Sequence, residues 1–488
     1  MQKLKKYSKL VTTGMLVIFP PIFFLSYFPL ISLGSTDSMN LELSLPEIWL
    51  ILFFLFSLPQ IPDLFRFYKL KNLCIVALIP TYFILSAIWS GNRLRTILTS
   101  GLAFLVIFAM LSLIYRLKND ARNRLRHHLI KSLLYASAVV SAFCWVQCIA
   151  DVAGFDRHIT LLCSGCTSIM FGFPHPSGFA IEPQFMGNLL IAPTLLCFYL
   201  ISTSVFTSRK RKLLLFLFTL FLATTLFLTL SRGAIYAFVI ALFVLQIWLH
   251  KKSAIFKSLG VCMLAVIFSL AGFGFLSILG PTSDGFRMGT TKALHQLSLG
   301  IIDLRPKNSD SSLKSTTNSA ITPVSSVVDV EEEVPYQPPA PIFDGYVSES
   351  TNTRLNLNSL AIKTWTSSPQ YITIGAGLGS AGPAIHSHDP EEIGPKEIIQ
   401  NQYISLLLEV GLVGCATILG VVIFTTITLI KRKLFAKNPL LICTALGFLL
   451  TLCFFSGLPN ALHIYLFPLL FLNFGHVSKN YLLIKDIV

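Results

Sequence analysis

Residues 213–230 (LLLFLFTLFLATTLFLTL) form one apolar run and IYAFVIALFVLQIW forms another, with only Ser231-Arg232-Gly233-Ala234 between them. Each run approaches the length that a ~30 Å hydrocarbon core demands. The connection leaves no slack, so the chain must fold as a helical hairpin with a guanidinium held at the membrane surface. An ionisable group so close to hydrocarbon is costly, which makes Arg232 a candidate functional residue from its position alone.

The rest of the chain belongs to the same class. It is 53% hydrophobic and 12% charged over 488 residues, with a mean hydropathy of +0.70, values that exclude an ordinary water-soluble domain. Twelve apolar stretches lie near 10–33, 44–61, 72–90, 96–115, 129–150, 184–206, 213–230, 233–249, 255–280, 402–430, 438–457 and 459–476. The expected fold is therefore an all-α polytopic membrane protein of about twelve transmembrane helices.

The net charge of +15 follows from topology. Alternate connections, beginning with MQKLKKYSK and ending with the C-terminal tail, hold 26 of the 38 Lys and Arg residues; the short loops between them hold Arg93, Arg95, Arg157 and Arg232. This positive-inside pattern puts both termini in the cytoplasm and matches the basic loops to anionic lipid rather than nucleic acid. It places Arg232, the 151–184 loop and the 281–400 loop outside, and the first span reads as an uncleaved signal anchor.

Three regions follow: a membrane part (1–280), an external loop (281–400), and a second membrane part with a tail (401–488). Within the loop, 305–345 is rich in Ser, Thr, Pro and acid and reads as a disordered tether. Residues 348–400 place Leu355, Leu360, Ala361 and Trp365 at helical spacing, with Arg354 in the first turn and a stop at Pro369. Gly375-Ala376-Gly377-Leu378-Gly379 forms a turn suited to close backbone approach; without a strand–helix unit around it, it is no nucleotide motif. Most of the ten cysteines lie in or beside spans and behave as small hydrophobes. Cys163 and Cys166 form an external Cys-Ser-Gly-Cys, read as a local disulfide. With only His158 and His175 nearby, a metal site is disfavoured and none is assigned.

The external surface is where chemistry is expected. Arg suits bidentate binding of phosphate oxygens, and Arg232 and Arg354 are the candidates, whereas Arg93 and Arg95 read as snorkelling anchors. Glu409, six residues past Tyr403, needs a partner at its depth, and Arg232 or Arg354 is the expected one. Glu182 stands where the external loop re-enters the membrane and could take a hydroxyl proton or merely face water. His463 reads as a hydrogen-bonded packing residue.

SRGA (231–234), RLNLNSLAIKTW (354–365), GAGLG (375–379) and NQYISLLLEVGLVG (401–414) together resemble, in order and placement, the O-antigen ligase and Wzy-type polysaccharide polymerase superfamily. The resemblance covers about 60 residues and implies a GT-C-like membrane fold. It further implies that Arg232 and Arg354 bind the diphosphate of an undecaprenyl-linked glycan, with Asn401, Tyr403, Glu409 and Gly377 in support. No metal, cofactor or sugar nucleotide is implied; the partners are the lipid-linked glycan, an acceptor glycan or lipid, and membrane lipids, with room for a chain-length regulator or other assembly proteins. The implied location is the bacterial cytoplasmic membrane.

One position departs from the pattern. Ligases of this superfamily carry His just before the Asn of the last motif, where this chain has Gln400. Three replacements are open: His386 or His388, Glu182, or a polymerase that needs no such His. The expectation is the polymerase, which GFPHPSGFAIEPQFMGN also resembles, with the alternative a ligase delivering glycan to lipid A core or protein. A secondary transporter or lipid-linked glycan flippase is the rival of another class. It lacks support from internal repeats, interrupted helices or midplane charge.

Overall fold

Within lipid every backbone N–H and C=O must be satisfied inside the segment, so apolar runs of this length fold as helices. The computed structural model describes residues 2–26, 31–36, 39–120, 123–152, 169–170, 173–174, 176–180, 182–203, 208–249, 252–279, 285–298, 302, 304, 346–431, 437–458 and 461–474. The described part is almost wholly helical. Nine of its helices are long and apolar enough to cross a membrane, and two shorter apolar helices accompany them.

The first half comprises α1 (Gln2–Phe24), α2 (Leu45–Phe67), α3 (Leu70–Leu85), α4 (Arg93–Asn119) and α5 (Arg124–Val152). The expected first span, 10–33, ends early: Ile31–Thr36 (β1) pairs antiparallel with Met39–Leu43 (β2). In β1, apolar Ile31 and Leu33 alternate with serine, a period of two that suits a strand rather than a helix. Trp49 fixes α2 to α1, stacking on Phe53 at 4.9 Å while its Nε1 donates to the Met15 carbonyl at 2.9 Å.

The second half begins with α6 (Pro183–Thr203), followed by α7 (Arg209–Leu228), α8 (Arg232–Trp248) and α9 (Lys252–Leu279). Helix α6 is the centre of the molecule: Met186 and Leu189 through Phe198 are almost fully enclosed by α7, α8 and the later helix α15. Small residues allow the close approach, as is usual where helices meet without a solvent-driven force between them. Leu213, Leu217, Phe243, Ile247 and Met263 point outward, as lipid-facing side chains do.

After α9 the chain folds back as α10 (Gly285–Leu297), whose last carbonyl accepts from the Tyr236 hydroxyl at 2.8 Å. The described chain resumes with α11 (Tyr346–Thr366), α12 (Pro369–Thr373) and α13 (Ala381–His388), which pack on α14 (Gln402–Lys431). Helix α15 (Pro439–Thr451) returns beside α8 and α6. The twelfth expected span, 459–476, is instead a single turn, α16 (His463–Leu466), and a 3-10 segment (Phe467–Phe471). Pro468 has no N–H to donate, and a continuous helix is not formed there.

Candidate functional site

The turn between α7 and α8 is held under local strain. Leu230 has φ +50°, a region that costs a non-glycine residue about 1–3 kcal/mol unless its surroundings enforce it. They do: Leu230 is 7% exposed and packs with Cys148, Leu228, Phe273 and Ala293. Helix α8 then starts at Arg232 itself. The Ser231 hydroxyl and Arg232 Nη1 are both buried, and neither has a hydrogen-bond partner among the described residues. Free amides at a helix start, beside a cation lacking an acceptor, form an arrangement suited to an anion.

Helix α6 touches this turn through Gly187, where a Cβ would lie 2.9 Å from Ala234 Cβ and 3.1 Å from Thr229 Oγ1. Its start carries the second cluster. Pro183 occupies the first helical position, where its missing N–H costs nothing, and this sets Glu182 just before the helix and Gln184 in its first turn. Arg354 Nη2 donates to Gln184 Oε1 at 3.3 Å, and Gln184 Nε2 donates to the Phe454 carbonyl at 2.6 Å. Phe454 Cβ in turn lies 2.9 Å from where a Cβ on Gly233 would sit. The elements bearing the two arginines therefore converge on α6 and Phe454.

Burial raises the Glu182 carboxyl above the usual carboxylate range, and the Arg354 charge pulls it partly back. A carboxylate so placed holds a proton more readily than a solvated one, as proton-accepting groups in enzymes do. Arg354 does not lie in a first turn: α11 begins at Tyr346, two turns earlier. Its buried face is Leu357, Leu360 and Ala361, whereas Leu355 is 60% exposed.

Glu409 pairs with neither Arg232 nor Arg354. It is buried, accepts from Ser405 Oγ at 2.9 Å and from the amides of Gly379 and Ala381, and feels the charge of Arg95. Arg95 is accordingly turned inward rather than snorkelling, while Arg93 is exposed. The reason is a break in α14: Gly411 has φ +61°, and the glycine turn lies against it. Ala376 N–H donates to the Leu408 carbonyl at 2.9 Å, Gly377 N–H to the Glu409 carbonyl at 2.8 Å, and Tyr82 Oη to the Val410 carbonyl at 2.8 Å. A Cβ on Gly375 would come within 2.3 Å of the Glu409 carbonyl oxygen, and one on Gly377 within 2.5 Å of Ser90 Oγ. Gly377, read as a substrate contact, is thus buried against protein with its amide engaged.

Asn401 is also engaged locally, its Oδ1 accepting the Tyr403 and Ile404 amides as the cap of α14. Tyr403 is half-exposed and donates from Oη to the Leu449 carbonyl at 2.7 Å. His388 ends α13 on the surface; the adjacent Asp389 pairs with Lys363 at 3.1 Å, nine residues and thus ~13 Å along α11 from Arg354. The structure does not bring His388 to the Arg354–Glu182 pair, and His386 Nδ1 bonds the Ile393 carbonyl at 2.7 Å. His463 packs between Phe448 and Phe467, and its Nε2 is buried with no partner among the described residues. Cys163, Cys166, His158, His175 and the 305–345 tether lie outside the described residues.

Sequence reasoning missed Gln184, Phe454 and Gln402. The last clamps the end of α15 to the start of α14, its Oε1 accepting the Gly457 amide at 2.6 Å. A glutamine in the first turn of an apolar helix beside a titratable residue was the available signal for Gln184; nothing in sequence distinguishes Phe454. Among the described residues no group of His, Cys, Asp or Glu could hold a metal ion.

No curated protein matches the chain. Residues 216–419 match the Wzy_C family model, described as O-antigen ligase. That segment, 204 of the 488 residues, carries the Arg232 turn, Arg354, the glycine turn and Glu409, so this part of a multi-pass membrane chain is similar to the O-antigen ligase family.

Proposed function

We propose that the protein is a glycan polymerase of the bacterial cytoplasmic membrane. It transfers undecaprenyl-diphosphate-linked repeat units to a hydroxyl of an acceptor glycan on the external face. The observation that carries this reading is the convergence of the Arg354–Gln184 contact and the Arg232 turn on one end of α6, beside a carboxyl with raised proton affinity. In the step, the acceptor oxygen bonds the anomeric carbon as the bond from that carbon to the diphosphate oxygen breaks. The electron pair leaves on the diphosphate, whose developing charge Arg232 and Arg354 stabilise. The acceptor proton passes to Glu182. Two arginines suit this leaving group because each guanidinium can engage two phosphate oxygens at once.

Deleting the gene in its own host, with complementation by wild type, Arg232→Ala and Arg354→Ala, tests the proposal on gels of surface polysaccharide. Single-repeat glycan in place of a ladder, restored only by wild type, is expected. Full-length glycan stranded on its lipid carrier makes the protein a ligase, the activity in the matched family's description. Wild-type ladders from either arginine variant overturn the assignment.

A further inference from the structure

A second cationic site lies at the other end of the bundle. Its position follows from α5: Trp145 Nε1 donates to Thr225 Oγ1 at 3.1 Å, just before the Arg232 turn. Arg124 and His128 stand 17 to 21 residues earlier on the same helix, hence ~26–32 Å away, about one membrane thickness. There the ends of α1, α2, α4 and α5 enclose a cavity of about 540 Å³ lined by Lys5, Lys6, Lys9, Arg116, Arg124 and His128, with Asp63 and Asp120.

Five lysine and arginine side chains face two carboxylates, and both carboxylates are engaged. Asp63 pairs with Lys5 at 3.1 Å, and Asp120 accepts the Arg124 and Arg126 amides at 3.1 and 3.3 Å. At the floor Arg116 is 8% exposed and held by neutral groups: Nη2 donates to Thr12 Oγ1 at 2.6 Å and to Gln60 Oε1. Gln60 is itself fixed by Ser8 and Thr12, so the hydrogen bonds that orient this buried guanidinium come from neutral groups, and Asp63 acts on it only through its charge. A buried cation hydrogen-bonded only to neutral groups, open to a cavity with more cations than carboxylates, is complementary to an anion. Lys6, Lys9 and Arg124 are exposed at the rim. Beside them Tyr7, Leu10 and Val11 of α1 point outward, 67%, 70% and 40% exposed.

We propose that this cavity binds the phosphoryl group of an anionic ligand, with Arg116 at the floor and Lys6, Lys9 and Arg124 closing over it. The apolar flank is where the chains of an anionic phospholipid would lie, and a soluble phosphate ester shares the same recognition chemistry. The site is independent of the external reaction, and its test reads binding only.

The full-length protein, delipidated in neutral detergent, is titrated with phosphatidylglycerol, phosphatidylcholine and inorganic pyrophosphate by native mass spectrometry. Wild type is expected to bind at least one phosphatidylglycerol or pyrophosphate about tenfold more tightly than phosphatidylcholine. Lys6→Gln/Lys9→Gln/Arg124→Gln should abolish that preference, as should Thr13→Phe, which fills the cavity without removing a charge. The control Arg209→Gln/Lys210→Gln/Lys212→Gln, which removes equal charge from the start of α7, should retain it. Displacement of the lipid by pyrophosphate identifies a site open to soluble phosphoryl groups, and lipid binding that resists displacement identifies the headgroup; either upholds the proposal. Equal anion binding by the pocket variants and the α7 control overturns it.

Discussion

Arg354 of α11 and Gln184 at the start of α6 are joined by a hydrogen bond of 3.3 Å, across 170 residues of sequence. The contact ties the loop between spans to the most enclosed helix of the bundle. It also sets the Arg354 charge beside Glu182, the residue whose proton affinity it tempers. Removing the glutamine should take away this one contact without removing the Arg354 charge. Gln184→Ala is expected to raise KM for the lipid-linked donor about tenfold while kcat falls less, measured by donor titration in detergent; an unchanged KM would show that Arg354 does not depend on this contact.

Arg232 separates stability from activity. Its Nη1 is buried without a partner among the described residues, although the side chain as a whole is part-exposed, and a buried donor left unpaired is a cost to the fold. Arg232→Leu should therefore leave Tm unchanged or raise it while transfer falls about 10²–10³-fold, the range for loss of one charge-stabilising donor. A fall in both would assign the side chain to the fold.

Glu182 predicts a pH dependence. Its carboxyl is raised, so the ionised form needed to accept a proton appears at higher pH than for a solvated glutamate. The acid limb of the rate profile should lie above the ordinary carboxylate range and move higher still in Arg354→Gln, which removes the charge that lowers it. Glu182→Gln should lower kcat by about 10²–10⁴-fold. For stability the sign runs the other way: a folded-state carboxyl raised above its unfolded value opposes folding as pH rises through the unfolded pKa. Glu182→Gln should thus gain stability over wild type above that pH and not below it, read from melts at acid and neutral pH.

The glycine turn is a steric requirement. Gly375 has φ +79° with the Glu409 carbonyl oxygen 2.3 Å from the position of a Cβ, and backbone cannot yield as a flexible side chain can. Gly375→Ala should lower stability by at least about 2 kcal/mol through strain and overpacking. Gly394→Ala, in open space, is the control in the same melting series.

Glu409 predicts a graded series in the same assay. It accepts from Ser405 and from two backbone amides. Glu409→Gln keeps an acceptor and should cost less than Glu409→Leu, which strands those donors at about 1–3 kcal/mol for each buried group. Equal losses would place the contribution in the charge facing Arg95 instead.

The membrane class, most of the spans, the short Arg232 turn and the helix–glycine–helix order of residues 346–400 were legible from hydropathy and motif spacing. These are local properties: a run of apolar residues must satisfy its own backbone in lipid whatever surrounds it. Partnership was not local. Glu409 was expected to meet Arg232 or Arg354 and instead faces Ser405, the amides of the glycine turn and Arg95. No local pattern marks where α14 breaks or that the turn inserts there. Likewise Gln184 and Phe454 gain significance only because α6 runs through the centre of the bundle and brings its first turn to both. Which arginine shares a surface with which carboxylate depends on helix packing between residues hundreds of positions apart, and a single sequence carries no distance information at that range.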